Sequence, residues 1–167
     1  MALREIVVIP AEVLRKKAHK VSNFSKELVA LVDDMFDTLR NAPGVGLAAP
    51  QIDISERIIV VEYAEEEGEK PQSFAVINPE IVKTSTETEF GIEGCLSIPK
   101  IVGEVERFSA IQVKGFNKFG KPIKIKASGW LARIFQHEID HLDGILFTDR
   151  ATRIWQPSQE ETAELPE

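Results

Sequence analysis

His137-Glu138-Ile139-Asp140-His141 is an H-E-x-x-H sequence. Residues four apart on a helix share a face, so both imidazoles can reach one metal ion. Glu138 lies about 100° around the helix from His137, close enough to meet a water on the metal without being forced to ligate it. The plain alternative is a helix carrying two solvated histidines. However, only three histidines exist in the chain and two fall here. Ile134 and Leu142 also turn this face toward a core, where an unpaired imidazole is costly. A catalytic site of the zinc type asks for a third protein ligand and an open position. One zinc-protease class has a third histidine where this chain has Phe147, which cannot ligate. Another uses a glutamate about where Glu161 stands, but that residue follows Pro157 in an acidic stretch with no apolar periodicity. Cys95 is the third candidate, within Gly91-Ile92-Glu93-Gly94-Cys95-Leu96-Ser97-Ile98-Pro99. A thiolate suits a soft or borderline metal. The alternatives for Cys95 are a small buried hydrophobe or a nucleophile paired with histidine, which would leave the second histidine and Glu138 without roles. Gly44-Val45-Gly46-Leu47-Ala48-Ala49-Pro50-Gln51 adds a loop whose glycines let a ligand lie against the backbone. It lacks the Lys-Ser/Thr of a phosphate loop, and it could equally be a plain helix-to-strand connection.

These segments need elements to hold them. Leu28, Leu31, Val32, Met35, Phe36 and Leu39 recur at helical spacing, which predicts an amphipathic helix from Ser25, its N-cap, to Arg40. A short helix is expected around Glu12 to Ala18. Arg57 to Tyr63 and Ser73 to Asn78 read as strands, with Glu65 to Pro71 as an exposed turn. Ile111 and Val113 alternate with polar residues. Asn117-Lys118-Phe119-Gly120 reads as a hairpin turn leading to Ile123 to Ala127. A second helix is predicted from about Gly129, capped by Ser128 and stopped at Gly144. The class is therefore α+β, a single domain of mostly antiparallel strands around a central H-E-x-x-H helix, with an N-terminal helical segment. The domain is expected to span residues 1–155. Residues 156–167 carry four acids, no Lys or Arg and two prolines, and read as a flexible tail.

Composition narrows the function. The 167 residues carry 20 Lys+Arg against 27 Asp+Glu, a net charge of -7. That argues against direct nucleic-acid binding through a basic surface. No apolar run approaches the ~20 residues of a membrane span, and the N-terminus lacks the apolar stretch of a secretory signal. A single cysteine excludes an internal disulfide and suggests a reducing, cytoplasmic setting.

Taken together, Gly44 to Gln51, Glu93 to Ser97 and Gln136 to His141 resemble the three signature motifs of the peptide deformylases: G-x-G-L-A-A-P-Q, E-G-C-L-S and Q-H-E-x-D-H. Smaller matches extend the resemblance over about residues 5–150. They include Ile77-Asn78-Pro79, Val105 with Arg107, and Asp149-Arg150. The resemblance implies hydrolysis of the formyl group from N-formylmethionine on newly made polypeptides. It implies one divalent metal per chain held by Cys95, His137 and His141, with ferrous iron first and zinc or nickel as alternatives. It makes Glu138 the general base, then the acid for the leaving amine. Gln51 and the Leu96 backbone N–H would bind the oxyanion. Gly46 and Gly94 would bond the substrate backbone, while Val45, Ile134 and Trp130 would line the methionine pocket. Arg107 and Glu93 match a charged pair near the site; read from the residues alone, the pair could equally be a surface salt bridge. Partners would be the formylated nascent chain and, transiently, the ribosome, in a bacterial-type cytoplasm or an organelle. The acidic tail speaks against ribosome docking from that end. Two other functions stay open: a zinc endopeptidase and a non-catalytic metal-binding protein of the same fold.

Overall fold

The helix that carries the histidines, α2 (Gly129–Leu142), is buried at every position from Ala132 to Leu142. It can be so because two sheets enclose it. The structure, a computed structural model, describes residues 2–42 and 44–157. Its five-stranded sheet runs in the order β1 (Gly46–Ala48), β2 (Ile58–Tyr63), β3 (Gln72–Thr84), β6 (Ala110–Phe116) and β7 (Pro122–Ser128). A three-stranded sheet contains β4 (Thr88–Cys95), β5 (Ile98–Phe108) and β8 (Arg153–Trp155), with β5 in the centre. Every strand pair is antiparallel.

The continuous apolar run of β2 reflects burial on both faces. Ile59 and Val61 pack with Val76, Val113, Phe135 and Ile139, toward α2. Ile58 and Val60 point the other way, into a cluster with Val32, Met35 and Leu39 of α1 (Lys26–Asn41). Burying each such side chain contributes roughly 1.5–3 kcal/mol. A third cluster joins Leu14, Cys95, Ile98, Val105, Leu146 and Phe147 behind the small sheet. No helix among the described residues is long and apolar enough to cross a membrane.

The expected class, α+β with antiparallel strands around the H-E-x-x-H helix, is the observed one. Ser25 caps α1 by accepting a hydrogen bond from the Leu28 N–H. Ser128 takes the N-cap position of α2 but makes no side-chain capping bond. The helix ends at Leu142 with Asp143 as its C-cap, and Gly144 follows with φ of 74°. A Cβ there would stand 2.6 Å from the Arg15 carbonyl oxygen, so the glycine also admits a close backbone crossing.

Several expectations need correction. The short N-terminal helix is a 3-10 turn over Glu12–Arg15 only. The strand expected to end at Asn78 continues to Thr84, through two register shifts in its pairing with β6. Asn78 has φ of 53° there, and its side chain bonds both the N–H and the C=O of Val21. The hairpin β4–β5, strand β8 and the one-turn helix α3 (Phe147–Arg150) have no counterpart in the sequence reading. Of the stretch expected to form a flexible tail, residues 158–167 lie outside the described residues.

Candidate metal centre

Three segments distant in sequence converge on α2. Cys95 ends β4, and the turn Leu96–Ser97 leads into β5. Gln51 sits in a 3-10 turn, Ala49–Ile52, directly after β1. His137, Glu138 and His141 project from α2 itself. One ligand atom each from Cys95, His137 and His141 lie within 4.8 Å of one another. The Cys95 Sγ is 3.4 Å from His141 Nε2. His137 Nδ1 is 2.9 Å from Glu93 Oε1, which leaves its Nε2 for a ligand. Two imidazoles and a sulfur at this spacing match the donor set of a zinc- or iron-type ion.

Two buried polar atoms in this region have no hydrogen-bond partner, Glu138 Oε1 and His141 Nδ1. Leaving such groups unmet costs about 1–3 kcal/mol each. The Glu138 oxygen is therefore free to take a proton or a hydrogen bond from something that enters. Burial pushes the Glu138 carboxyl up to about 7. A nearby cation opposes that shift. Gly46 is bare because Glu138 needs the room: a Cβ would stand 2.6 Å from its Oε2.

Behind the ligands lies a buried ion network. Glu93 accepts from Arg107 Nε and Nη2 at 2.9 and 2.8 Å, and from Arg133 Nη1 at 2.7 Å. Arg107 Nη1 donates to Asp140 Oδ2 at 2.6 Å, and Arg150 donates to both oxygens of Asp140 at 2.6 and 3.0 Å. Burial pushes the Glu93 carboxyl up, but bonds from Arg107 and His137 outweigh it and hold it well below the usual carboxylate range. Burial also pulls His137 down; Cys95 and Glu93 outweigh it and raise this imidazole well above its ordinary value. His141 is lowered by burial and by its neighbour His137. The two rings meet edge to face, with centroids 5.1 Å apart.

A small cleft opens beside the centre. Val45, Glu93, Gly94, Trp130, Arg133, Ile134, His137 and Glu138 line it. The expected pocket residues Val45, Trp130 and Ile134 are thus together. Gln51 is 2% exposed, and its amide Nε2 stands 3.1 Å from Ser97 Oγ and 3.6 Å from Cys95 Sγ. Its Oε1 accepts from the Ala48 N–H, so the amide is pinned at both ends. Leu96 is half-buried in the turn after Cys95. Arg107 and Glu93 are 5% and 4% exposed, which excludes the surface salt bridge weighed for them. Arg107 does not line the cleft; it stands behind Glu93.

Sequence reasoning missed Arg133, Ser97, Asp140 and Arg150. Arg133 and Asp140 had a legible signal, since they lie one turn before and three residues after His137, on its side of the helix. Ser97 and Arg150 had none beyond their place in longer matches.

A buried thiol at the end of β4 meets two imidazoles of α2, with a carboxyl beside them that has one unbonded oxygen, and this is the arrangement of an H-E-x-x-H metal hydrolase centre. The comparisons carry the assignment further. The polypeptide deformylase family matches residues 3–156. A peptide deformylase of Symbiobacterium thermophilum is 52% identical over 171 residues, covering 100% of this chain and 77% of that protein. Peptide deformylase 1 of Bacillus subtilis is 46% identical over 165 residues, 99% of each chain. The crystal structure of a peptide deformylase from Thermotoga maritima superposes with a TM-score of 0.83 at 43% identity, over 90% of this chain and 99% of that one. This chain belongs to the peptide deformylase family, and its activity class is hydrolysis at an N-formyl group.

Proposed function

We propose that this chain removes the formyl group from N-formylmethionine at the start of newly made polypeptides, with Cys95, His137 and His141 holding one ferrous ion. The observation that carries the reading is Glu138, which is buried, partnerless at Oε1 and placed beside three converging ligands. The ion, when bound, lowers the pKa of water and polarises the formyl oxygen. Zinc and nickel suit the same donors, and affinity order alone does not favour iron.

The chain's own groups do the rest. Glu138 takes a proton from the attacking water, holds it on its carboxyl and passes it to the departing nitrogen. The C–N bond of the formamide breaks, giving formate and a free amine. Gln51, fixed by Ser97 and the Ala48 N–H, turns its second amide N–H, which rests on Cys95 Sγ, to the developing oxyanion, together with the Leu96 N–H. Each such donor is worth ~100- to 1000-fold in rate. Gly46 and Gly94 offer backbone groups to the peptide. Val45, Ile134 and Trp130 give the methionine side chain an apolar wall. The partner is the nascent chain, met in the cytoplasm, with transient ribosome contact. No observation favours an endopeptidase or a non-catalytic protein.

The test is turnover of formyl-Met-Ala-Ser under anaerobic conditions by iron-, zinc- and nickel-loaded protein, with Glu138→Ala as control. Fast deformylation by the wild type alone supports the reading. No turnover by any fully loaded form sinks it.

A further inference from the structure

Arg133 is a charged residue where the cleft should be apolar. It is 6% exposed, lies one helical turn before His137 and lines the cleft beside Ile134 and Trp130. Its guanidinium carbon lies 5.3 Å from the centroid of the Trp130 ring. Among the described residues, the hydrogen bonds of the head group all run into the small sheet. Nη1 donates to Glu93 Oε2 at 2.7 Å and to the Val105 carbonyl at 2.9 Å; Nη2 donates to the Glu89 carbonyl at 2.7 Å. Strand β4 leaves space for it: a Cβ on Gly91 would stand 2.7 Å from the guanidinium carbon.

The destination of the first bond matters. Glu93 faces two guanidinium groups and one imidazole with only two oxygens. Oε1 takes Arg107 Nη2 and His137 Nδ1; Oε2 takes Arg107 Nε and Arg133 Nη1. Arg107 grips both oxygens, and Arg133 adds a further bond to Oε2. Arg133 fixes the second oxygen from the opposite element, because it comes from α2 whereas Arg107 comes from β5. The partner of a ligating histidine sets the ring's tautomer and orientation.

We infer that Arg133 is a positioning residue for the metal centre: it locks Glu93, through which His137 is oriented, while its own side chain forms part of the substrate pocket. The inference rests on the metal-centre reading given above. It links cleft and centre physically, since one side chain serves both.

The experiment compares wild type, Arg133→Met and Arg133→Lys. Met keeps an apolar stem of similar reach and removes the guanidinium. Cobalt and zinc affinities are measured on apoprotein by competition with a chromophoric chelator. The visible spectrum of the cobalt form is recorded, as are kcat and KM for formyl-Met-Ala-Ser. Removing the direct partner of a ligand costs ~10- to 100-fold in metal affinity or activity, and Arg133 acts one bond further out, so the lower end, about 10-fold, is the expectation. Arg133→Met should therefore lose that much affinity and show an altered cobalt spectrum, with kcat falling and KM changing less than threefold. Arg133→Lys should recover part of the loss. Circular dichroism and urea unfolding establish that each variant folds. If Arg133→Met does not fold, Gly91→Ala replaces it, since its methyl crowds the guanidinium and should shift affinity the same way. A folded variant with wild-type affinity and an unchanged cobalt spectrum overturns the inference, as does a rise in KM alone. Failure of the wild type to bind metal or deformylate counts instead against the underlying reading.

Discussion

Gly46→Ala should disable the enzyme through one methyl group. The ideal Cβ stands 2.6 Å from Glu138 Oε2, 2.9 Å from its Cγ and 3.0 Å from its Cδ, whereas ordinary contact begins at 3.4 Å. The carboxylate must therefore retreat by about 0.8 Å, the gap between 2.6 and 3.4. A misplacement near 1 Å costs on the order of 100-fold in rate when the displaced group must meet its reactant. We expect kcat to fall about that far. Gly46 lies in β1, where alanine meets no backbone penalty, and the obstacle is a side chain rather than backbone. The fold should survive, at an overpacking cost of about 1–3 kcal/mol. The three metal ligands are untouched, so metal content should hold. A double-mutant cycle gives the sharpest check. Urea unfolding of wild type, Gly46→Ala, Glu138→Ala and the double variant should show that the alanine destabilises only when Glu138 is present. A kcat within threefold of wild type would refute the reasoning. So would equal destabilisation in both backgrounds, because the strain would then lie elsewhere.

Other expectations follow from the same geometry. Cys95→Ser should weaken metal binding in a chelator competition, whereas Glu138→Ala should keep the metal and lose ~100- to 10,000-fold in kcat; metal loss in Glu138→Ala would make that carboxylate a ligand. Gly144→Ala adds a Cβ 2.6 Å from the Arg15 carbonyl at a φ of 74°, so urea unfolding should show a loss of about 2–4 kcal/mol. The carboxyls of Asp149 and Glu62 are lowered, first by bonds from Arg15 and Arg40 respectively. Groups so depressed add stability above their unfolded pKa of about 4 and lose it as pH falls through the folded value. The urea midpoint should thus drop below about pH 4, and less steeply in Asp149→Asn; an identical acid profile in that variant would remove Asp149 from the account.

The two long helices, α1 and α2, were legible because their apolar positions fall at helical spacing and their ends carry stop signals. The three proposed metal ligands were legible as candidates because histidine and cysteine are scarce here. The hairpin β4–β5 was not, for reasons visible in its residues. Gly91, Gly94, Pro99 and Gly103 interrupt the strand pattern. Gly91 serves Arg133, and a Cβ on Gly103 would press on Ala151, Ile154 and Phe147 at 3.0 to 3.1 Å. Glycines that admit neighbours from afar weaken the local signal by which strands are recognised. The charged residues carry no clearer signal: Arg107 and Glu93 fit a charged pair near the site and a surface salt bridge equally well, and only their pairing with each other and with Arg133 lets them lie inside.

That pairing has a cost which stability does not explain. Buried ion pairs often contribute little net stability, and apolar replacements of the same shape are commonly neutral or better. A fold seeking only a core would fill this space with aliphatic side chains, as the other side of α2 does with Ile59, Val61 and Val76. The charges occur on the other side, between α2 and the small sheet, where Cys95 must meet two histidines that belong to a different element. Packing alone sets a side chain's position within its rotamer wells, whereas a carboxylate held by two guanidinium groups fixes direction as well. His137 needs direction, because only one of its nitrogens can face the ion. The network of Glu93, Arg107, Arg133, Asp140 and Arg150 is thus best understood as a device for aim. Its place in the fold follows from where aim is required, which is the seam between the two sheets.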